Sequence, residues 1–299
     1  MTQGRADIYE RITAQIVAAI EAGAGDYKMP WHHQGSAASR PINVASGKPY
    51  RGANVLMLWI AAENAGYSGG LWGTYRQWAE LGGQVRKGER ATQIVFWKIS
   101  RPDQGEHADS GDSADDGGRV RFFARSYSVF NVDQVDGYTL PAMPVLPETE
   151  RLAHAEAFYA NLRIPTVYGG SEAFYRPSTD TVHMPPFEAF HEPAGHYSVL
   201  FHEGLHATAA KHRCDRDLSG RFGSEAYAFE EIIADVGSSM LLADLGIAAQ
   251  PRPDHAAYIA SWLKVLKNDT SAIFTAASKA QQAADWMWSQ QTAQTALAA

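Results

Sequence analysis

Residues 197–206 read Tyr-Ser-Val-Leu-Phe-His-Glu-Gly-Leu-His, and this stretch decides the fold of the second half of the chain. On a helix, residues four apart lie on one face, so His202 and His206 can present two imidazole nitrogens to one metal ion. Glu203 is turned by about 100° from His202 and can act as general base on a water that the ion polarises. The preceding apolar residues predict a buried helix, and two histidines buried there are costly without a shared ligand. The stretch therefore predicts a catalytic zinc site.

A catalytic zinc ion needs a third protein ligand, and the sequence offers more than one. His212 stands at the spacing that metzincins use for their third histidine. Those proteins need a glycine at the position of Ala209, because the helix must break sharply there. Ala209 and Ala210 instead favour a helix that continues to 212, which would turn His212 away from the ion.

The favoured third ligand is Glu231, which lies on the next predicted helix. Asp235 follows it by about one turn, a pattern similar to that of gluzincins such as thermolysin. Asp235 is then expected to orient a ligand histidine from behind, and Glu230 is the alternative if the helix register slips by one residue. His-His-Glu suits Zn²⁺, and another divalent ion such as Mn²⁺ could take its place.

Composition limits the class of protein. The chain has 299 residues, enough for two domains, and its 45% hydrophobic and 20% charged content is globular. No apolar run approaches the roughly 20 residues needed to span a bilayer, so no membrane partner is expected. The single cysteine, Cys214, fits a reducing compartment, and we predict a cytoplasmic protein.

Hydrophobic periodicity predicts the secondary structure. In the first part of the chain the predicted helices are 5–23, 52–65 and 74–81. One predicted strand is 92–97, and a second lies within 120–132. In the second part we predict a hairpin at 171–184 and helices at 149–162, 194–212, 223–244, 253–267 and 270–290. The resulting class is α+β, with a first domain at 1–138, a Pro-rich linker at 139–148 and a mainly helical second domain at 149–299. The acidic stretch 101–118 lacks large apolar side chains and is expected to be a flexible insertion.

The first domain combines basic charge with aromatic rings. Residues 1–98 hold 11 Lys and Arg against 7 Asp and Glu, although the whole chain has a net charge of -7. Rings stack on unpaired bases and cations follow the phosphates, so this mixture predicts binding to single-stranded DNA. Trp59 lies in an apolar run and is expected in the core. The residues expected to contact the strand are Arg40, Asn43, Lys48, Tyr50, Arg51, Asn54, Trp72, Arg76, Arg86 and Lys87, with Tyr50 and Trp72 as the stacking rings.

Several strings resemble a known family. In the first domain they are Arg40-Pro-Ile-Asn43, Gly47-Lys-Pro-Tyr-Arg-Gly-Ala-Asn54, Trp72-Gly-Thr-Tyr-Arg-Gln-Trp78, Gly82-Gly-Gln-Val-Arg-Lys-Gly88 and Tyr127-Ser-Val-Phe-Asn-Val-Asp-Gln134. In the second domain they are Asp180-Thr-Val-His-Met-Pro185, the His-Glu-x-x-His motif and Glu230-Glu-Ile-Ile-Ala-Asp235. In this order, over essentially the whole chain, the set resembles ArdC-type antirestriction proteins. These join an N-terminal domain that binds single-stranded DNA to a zincin-like metallopeptidase domain.

The resemblance implies a plasmid-encoded protein that binds single-stranded DNA and protects incoming DNA from host restriction endonucleases during conjugation. It leaves two roles open for the metal domain, which is either structural and weakly active or a peptidase that cleaves a host protein. A third hypothesis is a DNA-associated metalloprotease that clears proteins crosslinked to DNA, as in SprT-like proteins. The partners expected are therefore single-stranded DNA and, in the protease hypotheses, a protein or peptide substrate.

Overall fold

The computed structural model describes residues 3–23, 40–100, 121–139, 147–221, 223–249 and 255–291. The predicted insertion at 101–118 and most of the predicted linker at 139–148 lie outside these ranges. The helices of the first domain are α1 (Gln3–Gly23), α2 (Ala53–Ala65) and α3 (Tyr75–Glu80). Its strands are β1 (Ile42–Asn43), β2 (Leu71–Gly73), β3 (Gln84–Val85), β4 (Thr92–Ser100), β5 (Arg121–Asn131) and β6 (Val135–Asp136).

A four-stranded sheet with the order β1-β2-β5-β4 forms the frame of the first domain. The long β4–β5 pair is antiparallel and runs from Thr92 opposite Val129 to Ser100 opposite Arg121. Helix α2 packs against β4, and its residues 55–60 are all buried, which explains its continuous apolar run. Helix α3 begins at a capping box, in which the Thr74 hydroxyl accepts from the Gln77 amide while the Gln77 side chain accepts from the Thr74 amide.

The second domain is mainly helical, as predicted. Its elements are α4 (Glu148–Asn161), β7 (Thr166–Tyr168), β8 (Phe174–Arg176), β9 (Thr181–Met184), α5 (Pro193–Ala207), α6 (Glu225–Asp244), α7 (His255–Asn268) and α8 (Ala272–Ser289). The predicted hairpin is confirmed as the antiparallel pair β8–β9. The sequence missed β7, a short strand that pairs parallel to β9, so the sheet order is β7-β9-β8.

Helix α5 ends at Ala207, so the prediction that it continues to 212 is wrong. The carbonyl groups of its last turn find partners outside the helix. The Leu205 carbonyl accepts from the Thr208 hydroxyl at 2.6 Å and from the Arg216 guanidinium at 2.8 Å. The Thr208 carbonyl accepts from the Cys214 amide at 2.8 Å. Because these contacts satisfy the terminal carbonyls, the helix can stop before the two alanines that favour its continuation.

Helices α5 and α6 approach each other closely at a glycine. A Cβ atom on Gly237 of α6 would lie 2.7 Å from Leu205 Cδ1 of α5, a distance that real Cβ atoms do not show. On another side of α5, a Cβ atom on Gly204 would lie 2.9 Å from Tyr159 Cε2. The motif helix is therefore held tightly between α4 and α6, which fixes the position of its histidines.

The two domains share one hydrophobic cluster. It joins buried residues of α1, α2 and β4 to buried residues of α6, α7 and α8, among them Ile16, Trp59, Ile94, Ile232 and Trp262. The burial of Trp59 confirms its predicted place in the core. The domain limits at 138 and 149 stay predictions, since both halves contribute to this cluster. Within the described ranges, no helix is long and apolar enough to cross a bilayer.

Gly237→Ala should lower the free energy of unfolding by about 1–3 kcal/mol, because the added methyl overpacks the α5–α6 contact. Gly195→Ala on α5 is the control, since the nearest atom to its Cβ, Phe190 Cδ1, is 3.9 Å away. That variant should be neutral or more stable by up to about 1 kcal/mol. Urea unfolding of both variants measures the difference, and equal midpoints would show that the close approach constrains nothing.

Candidate functional site

Two buried side chains, His202 and Glu231, and the partly buried His206 converge on one point between α5 and α6. The Nε2 atoms of His202 and His206 are 3.1 Å apart. The two carboxylate oxygens of Glu231 lie 3.3 Å from His202 Nε2 and 3.5 Å from His206 Nε2. Ligands on a tetrahedral ion with bonds of about 2.0–2.1 Å stand about 3.3 Å apart, so the spacing fits such an ion. Among the described residues, His202, His206 and Glu231 are the one group of this kind found.

The electrostatics of the site favour a cation. Burial alone would lower the pKa of His206, but the negative charge of Glu231, helped by Glu230 and Glu203, raises it to about 10. Burial would likewise raise the pKa of Glu231, yet His206 and His202 hold that pKa well below its usual range. The surroundings therefore stabilise positive charge between these side chains, whether as a proton or as a divalent ion.

A carboxylate faces the far nitrogen of each imidazole. Glu230 Oε1 lies 3.3 Å from His206 Nδ1, and Asp235 Oδ1 lies 4.0 Å from His202 Nδ1. Since Nδ1 lies on the other side of the ring from the Nε2 atom that faces His202 and Glu231, Glu230 contacts His206 from outside the three-residue group. Asp235 lies beside His202 Nδ1 at a distance longer than a direct hydrogen bond, so its predicted role in orienting a ligand histidine stays a prediction.

Arg216 is a residue of this site that sequence reasoning missed. Its guanidinium makes a two-pronged contact with Glu230, at 2.7 Å to Oε1 and 3.1 Å to Oε2. It also donates to the Thr208 hydroxyl at 2.7 Å, and its side chain is only 3% exposed. Arg216 thereby ties the end of α5 to the carboxylate that orients His206. It lies in a polar loop with no periodic pattern, so no local signal marks it.

Glu203 lies beneath the edge strand β8. Its side chain is buried, and its Oε2 atom accepts a hydrogen bond from the Tyr175 amide at 3.0 Å. The turn after β8 is fixed by Asp180, which accepts from the Tyr175 hydroxyl at 2.8 Å and from Arg213 at 2.6 Å. A carboxylate held by a backbone amide, next to the motif histidines on α5, is suited to general-base work.

His212 lies outside the metal group. Its side chain is 66% exposed, and its Nε2 atom is 3.6 Å from Asp180 Oδ2. The expectation that His212 turns away from the site thus agrees with the structure, although the reason given for it does not. His212 is carried away by the loop that follows Ala207 rather than by a continuing helix.

Four residues expected to contact DNA are buried or engaged in contacts within the protein instead. Tyr50 and Trp72 are 6% and 1% exposed, so neither ring offers a face on which a base could stack. Arg40 is 6% exposed and pairs with Asp244 at 2.8 Å. The side chain of Asn54 exchanges hydrogen bonds with the backbone of Val95 at 2.8 and 2.9 Å. For these four, contacts within the protein replace the predicted DNA contacts. The burial of Trp72 was not predicted because β2 has only three residues, too few for alternation to be recognised.

The remaining candidates are on or near the surface. Asn43 is half-buried and holds a turn, since its side chain accepts from Ser46 and donates to the Tyr50 hydroxyl. Arg51, Arg76 and Arg86 are exposed by 60%, 88% and 42%, and their ion-pair partners are Asp285, Glu80 and Glu89. Lys48 and Lys87 are exposed, and no described carboxylate pairs with either. These five cations lie at the surface, and Arg86 is the most heavily paired of them, with Glu89 and Asp136.

Comparisons with known proteins match both domains. Residues 6–130 match the model of the N-terminal domain of anti-restriction factor ArdC, and residues 153–279 match a zincin-like metallopeptidase model. The metal-free crystal structure of the antirestriction protein ArdC from plasmid R388 is 37% identical, with a TM-score of 0.77, and the match covers 95% of this chain and 97% of that one. Its Mn(II)-bound structure is 36% identical, with a TM-score of 0.73 and coverage of 94% and 97%.

Two curated relatives extend the comparison. The uncharacterized protein y4eC of Sinorhizobium fredii is 60% identical over 286 residues, which cover 96% of this chain and 93% of that protein. The DNA primase TraC of Escherichia coli is 34% identical over 301 residues. That match covers 96% of this chain but only 27% of the primase, so the similarity concerns one segment of a longer protein.

Glu231→Ala should lose a bound divalent ion, because two histidines alone leave the site one ligand short. His212→Ala should retain the ion, since that side chain stands outside the group. Elemental analysis of both variants after dialysis against a trace of Zn²⁺ or Mn²⁺ measures the effect. Equal metal content in the two variants would contradict the ligand assignment.

Arg216→Met should lower the free energy of unfolding by about 3–5 kcal/mol, because it leaves the buried carboxylate of Glu230 without its partner. The double variant Arg216→Met/Glu230→Gln should regain part of that loss, since no unpaired charge remains. Arg76→Met is the control: its ion pair with Glu80 is exposed and should contribute about 0–1 kcal/mol. Chemical denaturation compares the three, and equal losses for Arg216→Met and Arg76→Met would refute the role of burial.

Proposed function

We propose that this chain, which belongs to the ArdC family of antirestriction proteins, binds single-stranded DNA. We further propose that it protects incoming plasmid DNA from host restriction endonucleases during conjugation. The observation that carries the proposal is the similarity to the antirestriction protein ArdC, which extends over 97% of that chain and includes both domains. The protein would act in the cytoplasm, where entering DNA meets restriction enzymes.

The DNA-binding part of the proposal is supported by the exposed cations of the first domain. Arg51 and Arg76 pair with carboxylates, but both partners of each pair are exposed, and such pairs contribute only about 0–1 kcal/mol. A phosphate can therefore replace Asp285 or Glu80 at little cost. Binding that depends on such contacts releases counterions and should weaken steeply as salt increases.

The metal part of the proposal assigns Zn²⁺, or Mn²⁺ in its place, to His202, His206 and Glu231. A divalent ion there would polarise a carbonyl oxygen and lower the pKa of a bound water. Glu203 takes the proton from the attacking water, and the Tyr175 amide keeps its carboxylate in position. Arg216 and Glu230 hold His206 in the orientation that binding requires.

One observation favours a second function, a DNA-associated metalloprotease that cleaves host or DNA-crosslinked proteins. Strand β8 is an edge of its sheet, and the Tyr175 amide points away from β9 toward Glu203. An edge strand beside the general base can pair with an extended peptide and hold its backbone near the ion. In our main proposal, protection depends on DNA binding, and the capacity to hold a peptide is not needed for it.

Glu203→Ala distinguishes the two functions. Because Glu203 contributes neither a metal ligand nor a surface cation, we expect the variant to keep its metal, its affinity for single-stranded DNA and its protection of incoming DNA. Elemental analysis, fluorescence anisotropy and a conjugation-based restriction assay measure the three properties. Loss of protection with the first two intact would favour the protease.

Lys48→Gln/Lys87→Gln is the companion variant for this assay. It removes two exposed cations that have no described carboxylate partner, so the fold should be unaffected. We expect weaker DNA binding and proportionally weaker protection. Full protection despite lost DNA affinity would contradict the main proposal.

A further inference from the structure

We propose that a groove between α3 and the β3–β6 ladder holds an unpaired base of the bound DNA strand and its adjoining phosphate. The inference rests on the proposed function and gives it a location. The groove has a volume of about 680 Å³. The residues that carry the argument are Tyr75, Gln84, Arg86, Lys87, Phe130 and Asp136, all of which line it.

Tyr75 supplies the stacking surface that the buried rings of Tyr50 and Trp72 cannot. Its side chain is 52% exposed, although it begins a helix beside the sheet. Phe130 supports the ring from the side, with centroids 6.5 Å apart and planes at 73°. The Gln84 side chain donates to the Tyr75 hydroxyl at 2.9 Å. The ring is thus fixed before any ligand arrives, which reduces the entropy lost on binding.

Two cations at the rim have different roles. Arg86 is fixed by Glu89 at 2.9 Å, by Asp136 at 3.3 Å and by the Asp133 carbonyl. Its charge is therefore largely matched within the protein, and it shapes the rim. Lys87 is exposed and pairs with no described carboxylate, so it offers an uncompensated charge to a phosphate. The exposed ring of Tyr75 and the exposed ammonium group of Lys87 together fit one nucleotide, whose base would stack on Tyr75 and whose phosphate would contact Lys87.

The groove continues onto an open face of the sheet. Phe130, Ser128 and Ser126 alternate along β5 and therefore share one face. Gln93 stands opposite Ser128 on β4 and hydrogen-bonds to both serines at 2.8 Å. Both serines are exposed. This flat polar face provides a surface along the hairpin on which the neighbouring nucleotides can lie. A duplex, in contrast, is too wide to place a single base in the groove.

Phe96 and Tyr127 form the competing surface on the opposite face of the hairpin. They are 59% and 38% exposed and contact each other edge-on at 5.9 Å, with Arg125 exposed on the same face. We favour Tyr75 because its ring is fixed by a hydrogen bond and lines a groove together with an exposed cation, Lys87. The two surfaces are separated by single substitutions on each.

The test measures binding of a short fluorescent oligothymidylate to the full chain at several salt concentrations. Tyr75→Leu should weaken binding about 5- to 100-fold, the range expected for loss of one base–aromatic stack, and leave the salt dependence unchanged. Tyr75→Phe, which keeps the ring but loses the hydrogen bond from Gln84, should bind more tightly than Tyr75→Leu and no more tightly than the wild type. Tyr168→Leu is the matched control, since that tyrosine is 51% exposed in the second domain, and it should also bind like the wild type.

Lys87→Gln provides a measurement that does not depend on the tyrosine. It should reduce the slope of log affinity against log salt by about 0.7, as expected for one lost phosphate contact on a single strand. Equal affinities for Tyr75→Leu and Tyr168→Leu, or a loss in Phe96→Leu alone, would overturn the groove while the proposed function stands. Failure of the wild type to bind single strands would instead overturn the proposed function itself.

Discussion

The close contact between α5 and α6 is the constraint on which the rest of the second domain depends. It brings two histidines of one helix against Glu231 of the other, in an interior where unpaired charges are costly. A cation shared by these side chains removes that cost. Metal binding and the stability of this core are therefore thermodynamically linked. The residues behind the histidines also pair their charges. Glu230 is buried behind His206, and its carboxylate is paired with Arg216. The contacts that form the peptidase-like site are thus also contacts that stabilise the core.

The first domain is joined to this core rather than tethered beside it. Arg40 reaches across the interface to Asp244, and burial raises the pKa of that carboxyl despite the attraction of Arg40. Helix α8 contacts both domains, since Gln281 accepts from Arg40 while Met287 packs in the core of the second domain. The DNA-binding surface that we propose on the first domain would therefore keep a fixed position relative to the metal site. This arrangement suits the proposed function, in which the protein acts on, or beside, a bound strand.

The sequence predicted those features that a local pattern encodes. Helical spacing predicted His202 and His206, and the Glu–Asp spacing on the next helix predicted Glu231. The structure brings these three side chains together. Features that depend on distant partners were missed. Arg216 has no periodic signal, and the end of α5 is set by its tertiary contacts rather than by helix propensity. Trp72 was expected to stack on a DNA base rather than to be buried, because β2 has only three residues, too few for alternation to be recognised.

A crystal structure grown with Mn²⁺ or Zn²⁺, with anomalous difference maps, would show whether the packing of α5 against α6 positions the metal ligands. We expect one strong peak about 2.0–2.2 Å from His202 Nε2, His206 Nε2 and a Glu231 oxygen, with α5 and α6 unmoved. A peak at His212 and Asp180 would contradict this expectation. So would a site that forms only after the helices separate at Gly237, because the ligands would then not be positioned by the packing of the fold.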